Sequence, residues 1–438
     1  MKENLGFETL SLHAGHPGDP ATGSRAVPVY RTAAYLFKDT GHAARLFGLE
    51  ELGNIYTRLG NPTQEALEQR IAALEGGAAA VALASGTNAI HYAVINLCAA
   101  GDEIAASSSL YGGTYTMFHD ILPAFGIKTR FFDINEPETL QAALNDKTKL
   151  VFTETIGNPA LDVADLPRLA EAAHNHGVPL MVDNTFATPY LCRPLEHGAD
   201  IVIHSLTKWI GGHGTGIGGV VVDGGRFDWT GGKFPLMTEP DESYHGIRYA
   251  LDLGPLNPVA YALRLRLVPL RNLGGCISPD NAWLFLQGLE TLALRMERHS
   301  ENALKAALFL KDRPEVAWVR YPGLEDDPSH EKAQKILGSP GGKFSGFGGM
   351  VVFGIKGGRE AGSRFIDALK IFSHLANVGD AKSLAIHPAS TTHSQLDEKA
   401  MESGGITPDL IRLSIGIESA DDILWDLDNA LAAAAKLT

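Results

Sequence analysis

Residues 200–219 read DIVIHSLTKWIGGHGTGIGG. Ile201-Val202-Ile203 is a short β-branched apolar run, the mark of a buried strand. It gives way to the hydroxyl residues Ser205 and Thr207, then to Lys208, then to a tail rich in glycine. A lysine at the exit of a buried strand loses hydration, and desolvation is what makes an amine reactive near neutral pH. Flanking hydroxyls and the N–H groups of a glycine-rich turn suit a phosphate ester. An aldehyde cofactor with a phosphate tail needs both features, and that cofactor is pyridoxal phosphate (PLP). Upstream, residues 178–182 form a second apolar strand ending in Asp183, inside MVDNTFATP. A carboxylate at that point keeps the ring nitrogen of such a cofactor protonated. Alone, Lys208 reads as a solvated or capping lysine. With Asp183 one strand–helix–strand hop before it and Ser205 and Thr207 beside it, it reads as a Schiff-base lysine.

The same rhythm extends toward the N-terminus. Residues 62–74 predict an amphipathic helix with Pro62 in its first turn and glycine at its end. Residues 79–84 predict a buried strand, Ser85-Gly86-Thr87 a turn, and 88–99 a helix. A strand, a turn of small residues and a helix start make an anion site, because free N–H groups and the helix dipole point at the turn; plain capping is the alternative. Tyr111, before Gly112-Gly113, stands at another strand exit, where its ring either stacks on a pyridine face or packs into the core. Strands at 129–132 and 149–152 flank a helix at 136–144, and Asn158 of ETIGNP follows the second strand. Its amide suits a phenolic oxygen or a substrate carboxylate. Alternating strands and helices over 79–220 predict an α/β fold with a mostly parallel sheet wound on both sides, its sites at the strands' C-terminal ends.

Residues 1–60 read as an arm, with apolar residues scattered among turn formers, as in GHPGDPATGSRAVPVYRT. Such an arm must borrow a core, and a second subunit is the simplest source. Alternation puts Tyr56 and Arg58 on one side of an extended segment, where both reach a phosphate or merely pair as exposed strand residues. The large α/β domain is expected over 61–279. After Gly219 the chain makes an excursion off the sheet, returning through a helix near 261–272. A long helix over 280–310 opens a smaller C-terminal α+β domain, 280–438, with strands expected at 316–321, 350–353, 375–378 and 410–415 and a last helix at 420–437. Arg412 lies in an otherwise apolar strand, so it needs an anion, and a substrate α-carboxylate is a bidentate match; a structural ion pair is the alternative.

The 438 residues suffice for two domains. A net charge of −14 argues against nucleic acid and anionic membrane surfaces. Cys98, Cys192 and Cys276 form no CxxC pair, which fits a reducing compartment. With no signal-peptide core and no run of membrane length, a cytoplasmic protein is expected. His174 with His176, and His387 with His393, lack a partner at ligand spacing, so no metal is expected.

YTRLGNPT, SGT, the Tyr111 turn, ETIGNP, VDNTFATP, SLTKWIGGHG and RLSIGIE together resemble the Cys/Met-metabolism PLP enzymes of fold type I, along nearly the whole chain. The stretches FETLSLHAGH, GRFDWTGGKFPLMTEPD and ANVGDAKSLAIHPASTTHSQL are most similar to that family's O-acetylhomoserine sulfhydrylase branch. The resemblance implies a seven-stranded type of sheet and γ-replacement of acetate in O-acetylhomoserine by sulfide or a small thiol. It implies that Lys208 carries PLP, Asp183 meets the ring nitrogen and Tyr111 stacks on the ring. Ser85, Gly86, Thr87, Ser205 and Thr207 would hold the phosphate, helped by Tyr56 and Arg58 of a neighbouring subunit, while Asn158, Ser383 and Arg412 face the substrate. It also implies a homo-oligomer, a tetramer built of two dimers. Gly113 stands where methionine γ-lyases usually have cysteine. Cystathionine γ-synthase or γ-lyase activity is the nearest alternative, and a non-catalytic binding protein the remote one.

Overall fold

The computed structural model describes residues 5–136, 138–391 and 407–435. Two sheets organise it. The larger has seven strands: β1 (Ala79–Leu83), β2 (Glu103–Ser107), β3 (Lys128–Phe132), β4 (Thr148–Glu154), β5 (Leu180–Asp183), β6 (Ile201–Ser205) and β7 (Gly219–Asp223), in the order β1-β7-β6-β5-β4-β2-β3. Pairing from β6 through β5, β4 and β2 to β3 is parallel; β7 is antiparallel to both β1 and β6. Since β7 reverses direction twice over, β1 and β6 run the same way and their exits meet at one end of the sheet. The centre of β5 and β6 is fully buried and wholly apolar, as strands covered on both faces must be.

Local chemistry sets the flanking helices. Pro62–Glu75 starts on Asn61, whose side chain accepts the Thr63 N–H, and stops at Gly76 in a left-handed conformation (φ 75°). Gly86–Ile95 starts on Ser85, whose Oγ accepts the Asn88 N–H.

The smaller sheet has five strands: β8 (Val316–Arg320), β9 (Met350–Ile355), β10 (Ser373–His374), β11 (Leu384–Ile386) and β12 (Leu410–Ser414), ordered β10-β11-β12-β9-β8. Helices Gly358–Ala368 and Ala420–Ala434 cover it around its own apolar core. The helix Leu292–Lys311 serves both cores: Leu292 and Met296 belong to the large one, Ala303, Ala306 and Leu310 to the small one.

Several expectations are corrected. The helix expected over 280–310 is two helices, Pro279–Glu290 and Leu292–Lys311, interrupted at Thr291 (φ −113°, ψ 11°). No strand covers 375–378; that segment is a loop. β7 and β11 were not expected, the first hidden behind a glycine-rich tail and the second being a run of three residues. The start of the expected arm docks on its own chain, since Phe7 is buried against Tyr190 with ring centroids 5.1 Å apart. Tyr56 makes an isolated bridge to Ala34, and Arg58 sits in the turn that follows rather than in an extended segment.

Candidate active site

The strand exits of the large sheet and two segments of the small domain enclose a cavity of about 240 Å³. Ser85, Gly86 and Thr87 line it after β1, Tyr111 after β2, Glu154 and Asn158 at and after the end of β4, Asp183 and Thr185 at and after the end of β5, and Ser205, Thr207 and Lys208 at and after the end of β6. Asn377 and Arg412 close it from the other side.

One end is shaped to receive an anion. The first amides of helix Gly86–Ile95 open on it, as do the hydroxyls of Ser205 and Thr207. Close backbone approach makes this possible. A Cβ at Gly86 would lie 2.6 Å from Ser205 Cβ, and one at Gly219 would lie 2.1 Å from Ser85 O. Glycine at both positions lets the β1 and β6 exits converge. Thr207 Oγ1 accepts the Gly218 N–H at 3.1 Å, tying the lysine-bearing turn back to the start of β7.

Asp183 and Lys208 set the electrostatics. Asp183 Oδ1 accepts the Thr185 N–H at 2.9 Å and the Thr185 hydroxyl at 2.5 Å, while Thr185 Oγ1 accepts the Ser205 N–H at 2.8 Å. Burial raises the Asp183 pKa, an effect opposed by the two Thr185 bonds and by the nearby His204. Its Oδ2 has no partner among the described residues. Burial, and secondly the positive charge of Arg412, brings Lys208 down to about 8. Its Nζ donates to Asn377 Oδ1. Arg412 Nη1 donates to Asn158 Oδ1 at 3.0 Å, and no carboxylate pairs with its guanidinium among the described residues. Burial lowers its own pKa to about 10. A buried guanidinium held by a neutral amide still lacks its counter-charge, as a carboxylate-binding arginine would before substrate arrives.

Tyr111 is half exposed over the cavity, and its ring lies against Gly113, where a Cβ would come within 2.6 Å of Tyr111 Cε1. One expected residue is not brought here. Ser383 is fully buried elsewhere: its hydroxyl donates to Glu418 Oε2 at 2.9 Å and accepts the Gly416 N–H at 2.8 Å. Tyr56 and Arg58, expected to serve a neighbouring subunit's site, lie outside this chain's own cavity, the guanidinium 5.2 Å from the Tyr56 ring centroid. Sequence reading missed Glu154, Thr185 and Asn377. The one available signal for Asn377 was a polar amide just before Val-Gly-Asp, a turn in which Gly379 adopts φ 77°.

The histidines considered as ligands have ordinary partners: His174 meets Asp200, His176 the Asn145 carbonyl, and His387 Ser390 and the Pro408 carbonyl. His393 lies outside the described residues.

The donor set suits pyridoxal phosphate: an anion seat lined by amides and hydroxyls, a desolvated amine next to it and a buried carboxylate at the end of the neighbouring strand β5. The chain belongs to the Cys/Met metabolism PLP-dependent enzyme family, whose description matches residues 8–432. Within that class, it is 55% identical over 436 residues, 98% of each chain, to the O-acetyl-L-homoserine sulfhydrylase of Leptospira meyeri. It is 52% identical over 435 residues, 99% of each chain, to the homocysteine synthase of Schizosaccharomyces pombe. A crystal structure of a Campylobacter jejuni protein named O-acetylhomoserine (thiol)-lyase superposes with a TM-score of 0.92 at 42% identity, covering 98% of this chain and 100% of that one. That structure contains N′-pyridoxyl-lysine-5′-monophosphate.

Proposed function

We propose that this chain replaces the acetate of O-acetyl-L-homoserine with sulfide, giving L-homocysteine and acetate, or with a small thiol such as methanethiol, giving methionine. The observation that carries the reading is the pairing, in one cavity, of the depressed Lys208 amine with the uncompensated Arg412 guanidinium. Relatives named O-acetyl-L-homoserine sulfhydrylase and homocysteine synthase, aligned over 98% and 99% of this chain, support it.

Lys208 Nζ is the amine that would hold the cofactor, with Asp183 for its ring nitrogen, Tyr111 for its ring face, and Ser85, Gly86, Thr87, Ser205 and Thr207 for its phosphate. When bound, PLP supplies an electron sink for charge developing at the substrate's Cα. Arg412 binds the α-carboxylate and Asn158 orients Arg412. With a pKa brought to about 8, Lys208 Nζ is an effective proton carrier near neutrality: it would take a proton from Cα, deliver it to the electron sink that bound PLP would supply, and, neutral again, take a second from Cβ. Acetate then departs from Cγ, and HS⁻ adds at the same carbon as the protons return. Because acetate leaves before sulfide adds, the kinetics are ping-pong. Arg412 is the cation of the cavity wall besides Lys208, among the described residues. A succinyl tail would bring a second carboxylate with no second guanidinium, which favours the acetyl donor.

Residues 1–60 are proposed as an arm that, beyond its docked start, reaches a neighbouring subunit. Residues 61–279 form the cofactor-binding body and 280–438 the smaller one. Leu36 is 99% exposed, and the buried Arg58 Nε lacks a hydrogen-bond partner among the described residues. Both features suit a homo-oligomer in which Tyr56 and Arg58 complete another subunit's phosphate seat, as a dimer of dimers. A cytoplasmic setting is proposed from the three free cysteines. Among the described residues no helix is long and apolar enough to cross a membrane.

The test feeds O-acetyl- and O-succinyl-homoserine in turn with sulfide, with cysteine and with neither. Homocysteine from the acetyl donor with sulfide, with parallel double-reciprocal lines, is expected. Cystathionine as main product, or a 2-oxo acid released without any thiol, would overturn the assignment.

A further inference from the structure

Glu154 ends β4 directly beside Asp183, its register partner on β5. Adjacent strands lie about 4.8 Å apart, so two carboxylates meet at one edge of the cavity. Two such groups do not both ionise cheaply in a buried site. Their hydrogen bonds differ. Asp183 accepts two from Thr185, and His204 on the neighbouring strand further favours its charged form. Glu154 accepts one, from the Tyr111 N–H at 2.7 Å. The other titratable groups of the wall are Tyr111, Lys208 and Arg412, and none forms an ion pair with Glu154 among the described residues.

We propose that Glu154 is a positioning residue: it stands as a neutral acid that anchors the main chain of Tyr111 and leaves Asp183 as the single anion of the cavity. This rests on the functional reading above only for the purpose it serves. Burial, and next the charge of Asp183, pushes the Glu154 pKa well above the ordinary carboxylate range, the Tyr111 N–H opposing them. A second anion here would compete with Asp183 for the positive charge on the cofactor's ring nitrogen. A neutral acid avoids that competition and still offers an acceptor. The Tyr111 ring is thereby set by a bond at its own backbone, and Gly113 leaves it room.

Glu154→Gln tests this directly, since the amide is neutral, isosteric and able to accept the same N–H. In the infrared difference between wild-type holoenzyme and E154Q at neutral pH, loss of a carboxylic-acid C=O band is expected. The visible absorbance of the bound cofactor should titrate at an unchanged midpoint, and kcat/KM should stay within about threefold. Glu154→Ala, which removes the acceptor, should lower kcat/KM by about tenfold or more. Loss of carboxylate bands in E154Q, or a fall in its absorbance midpoint, would overturn the proposal, because either means that an anion was removed. If E154A does not fold, the E154Q infrared band and midpoint decide alone. Wild-type enzyme that makes homocysteine with an ionised Glu154 overturns only this inference; an acid-form Glu154 in a protein that makes none overturns only the proposed function.

Discussion

The cavity's two walls are built by different means. The wall from the large sheet is made of strand exits, so its polar groups stand where parallel strands must end, and backbone pairing fixes their spacing. The wall from the small domain consists of a loop and one strand interior, and it contributes two polar side chains, Asn377 and Arg412. In the function proposed above, the first wall would handle the cofactor, and the second would meet the substrate and adjust the first. The arginine's charge presses on the Lys208 amine, and the asparagine holds it. Chemistry is therefore generic on one side and selective on the other, joined at a single nitrogen.

Breaking the first wall should have the largest effect. Lys208→Ala is expected to lower turnover by about a thousandfold or more and to abolish the covalent attachment of cofactor, checked by borohydride trapping and mass spectrometry. Breaking the second wall at Arg412→Met should lower kcat/KM about a hundredfold, mainly through KM, since a buried charge-assisted pair with the carboxylate is lost.

A pH experiment sharpens how the walls couple. The neutral amine is the reactive form, so cofactor capture by apoenzyme should speed up with rising pH and level off above about 8. An unperturbed lysine would continue to gain toward 10.5. Removing Arg412 takes away a like charge, so the midpoint in R412M should move upward; a midpoint that stays put would detach the two walls. The smallest effect on chemistry is expected at Ser383→Ala, which should leave kcat within about twofold while lowering stability by about 1–3 kcal/mol, read by denaturant unfolding. A large rise in KM there would bring Ser383 back into the substrate wall.

The same division explains what was legible in the sequence. Asp183, Lys208, Ser85 and Tyr111 could be read because each follows a buried apolar run, and a strand's end locates its next residue. Arg412 stood out as a charge within an apolar strand. The loop at 375–380 has no periodicity to read: its path depends on Gly379 packing against Trp209, where a Cβ would lie 2.6 Å from the Trp209 N. The substrate-facing role of Ser383 came only from the family resemblance, while in the structure Asn377 reaches the amine. Glu154 escaped because its meaning lies in its register partner, and pairing register is not written in either strand alone. The break at Thr291 was hidden inside continuous helical spacing.

The place of β7 bears on biosynthesis. β1 is among the first segments of the sheet to be translated, yet β7 is its partner in that sheet, and β7 comes last in sequence. The N-terminal edge therefore waits, unpaired, until residues 219–223 have cleared the ribosome, a long-range closure of the slow kind. A nascent chain stopped short of Gly219 would hold Ser85, Gly86, Thr87, Ser205 and Thr207, the residues proposed to face the phosphate, and still lack the strand that sits between the β1 and β6 exits.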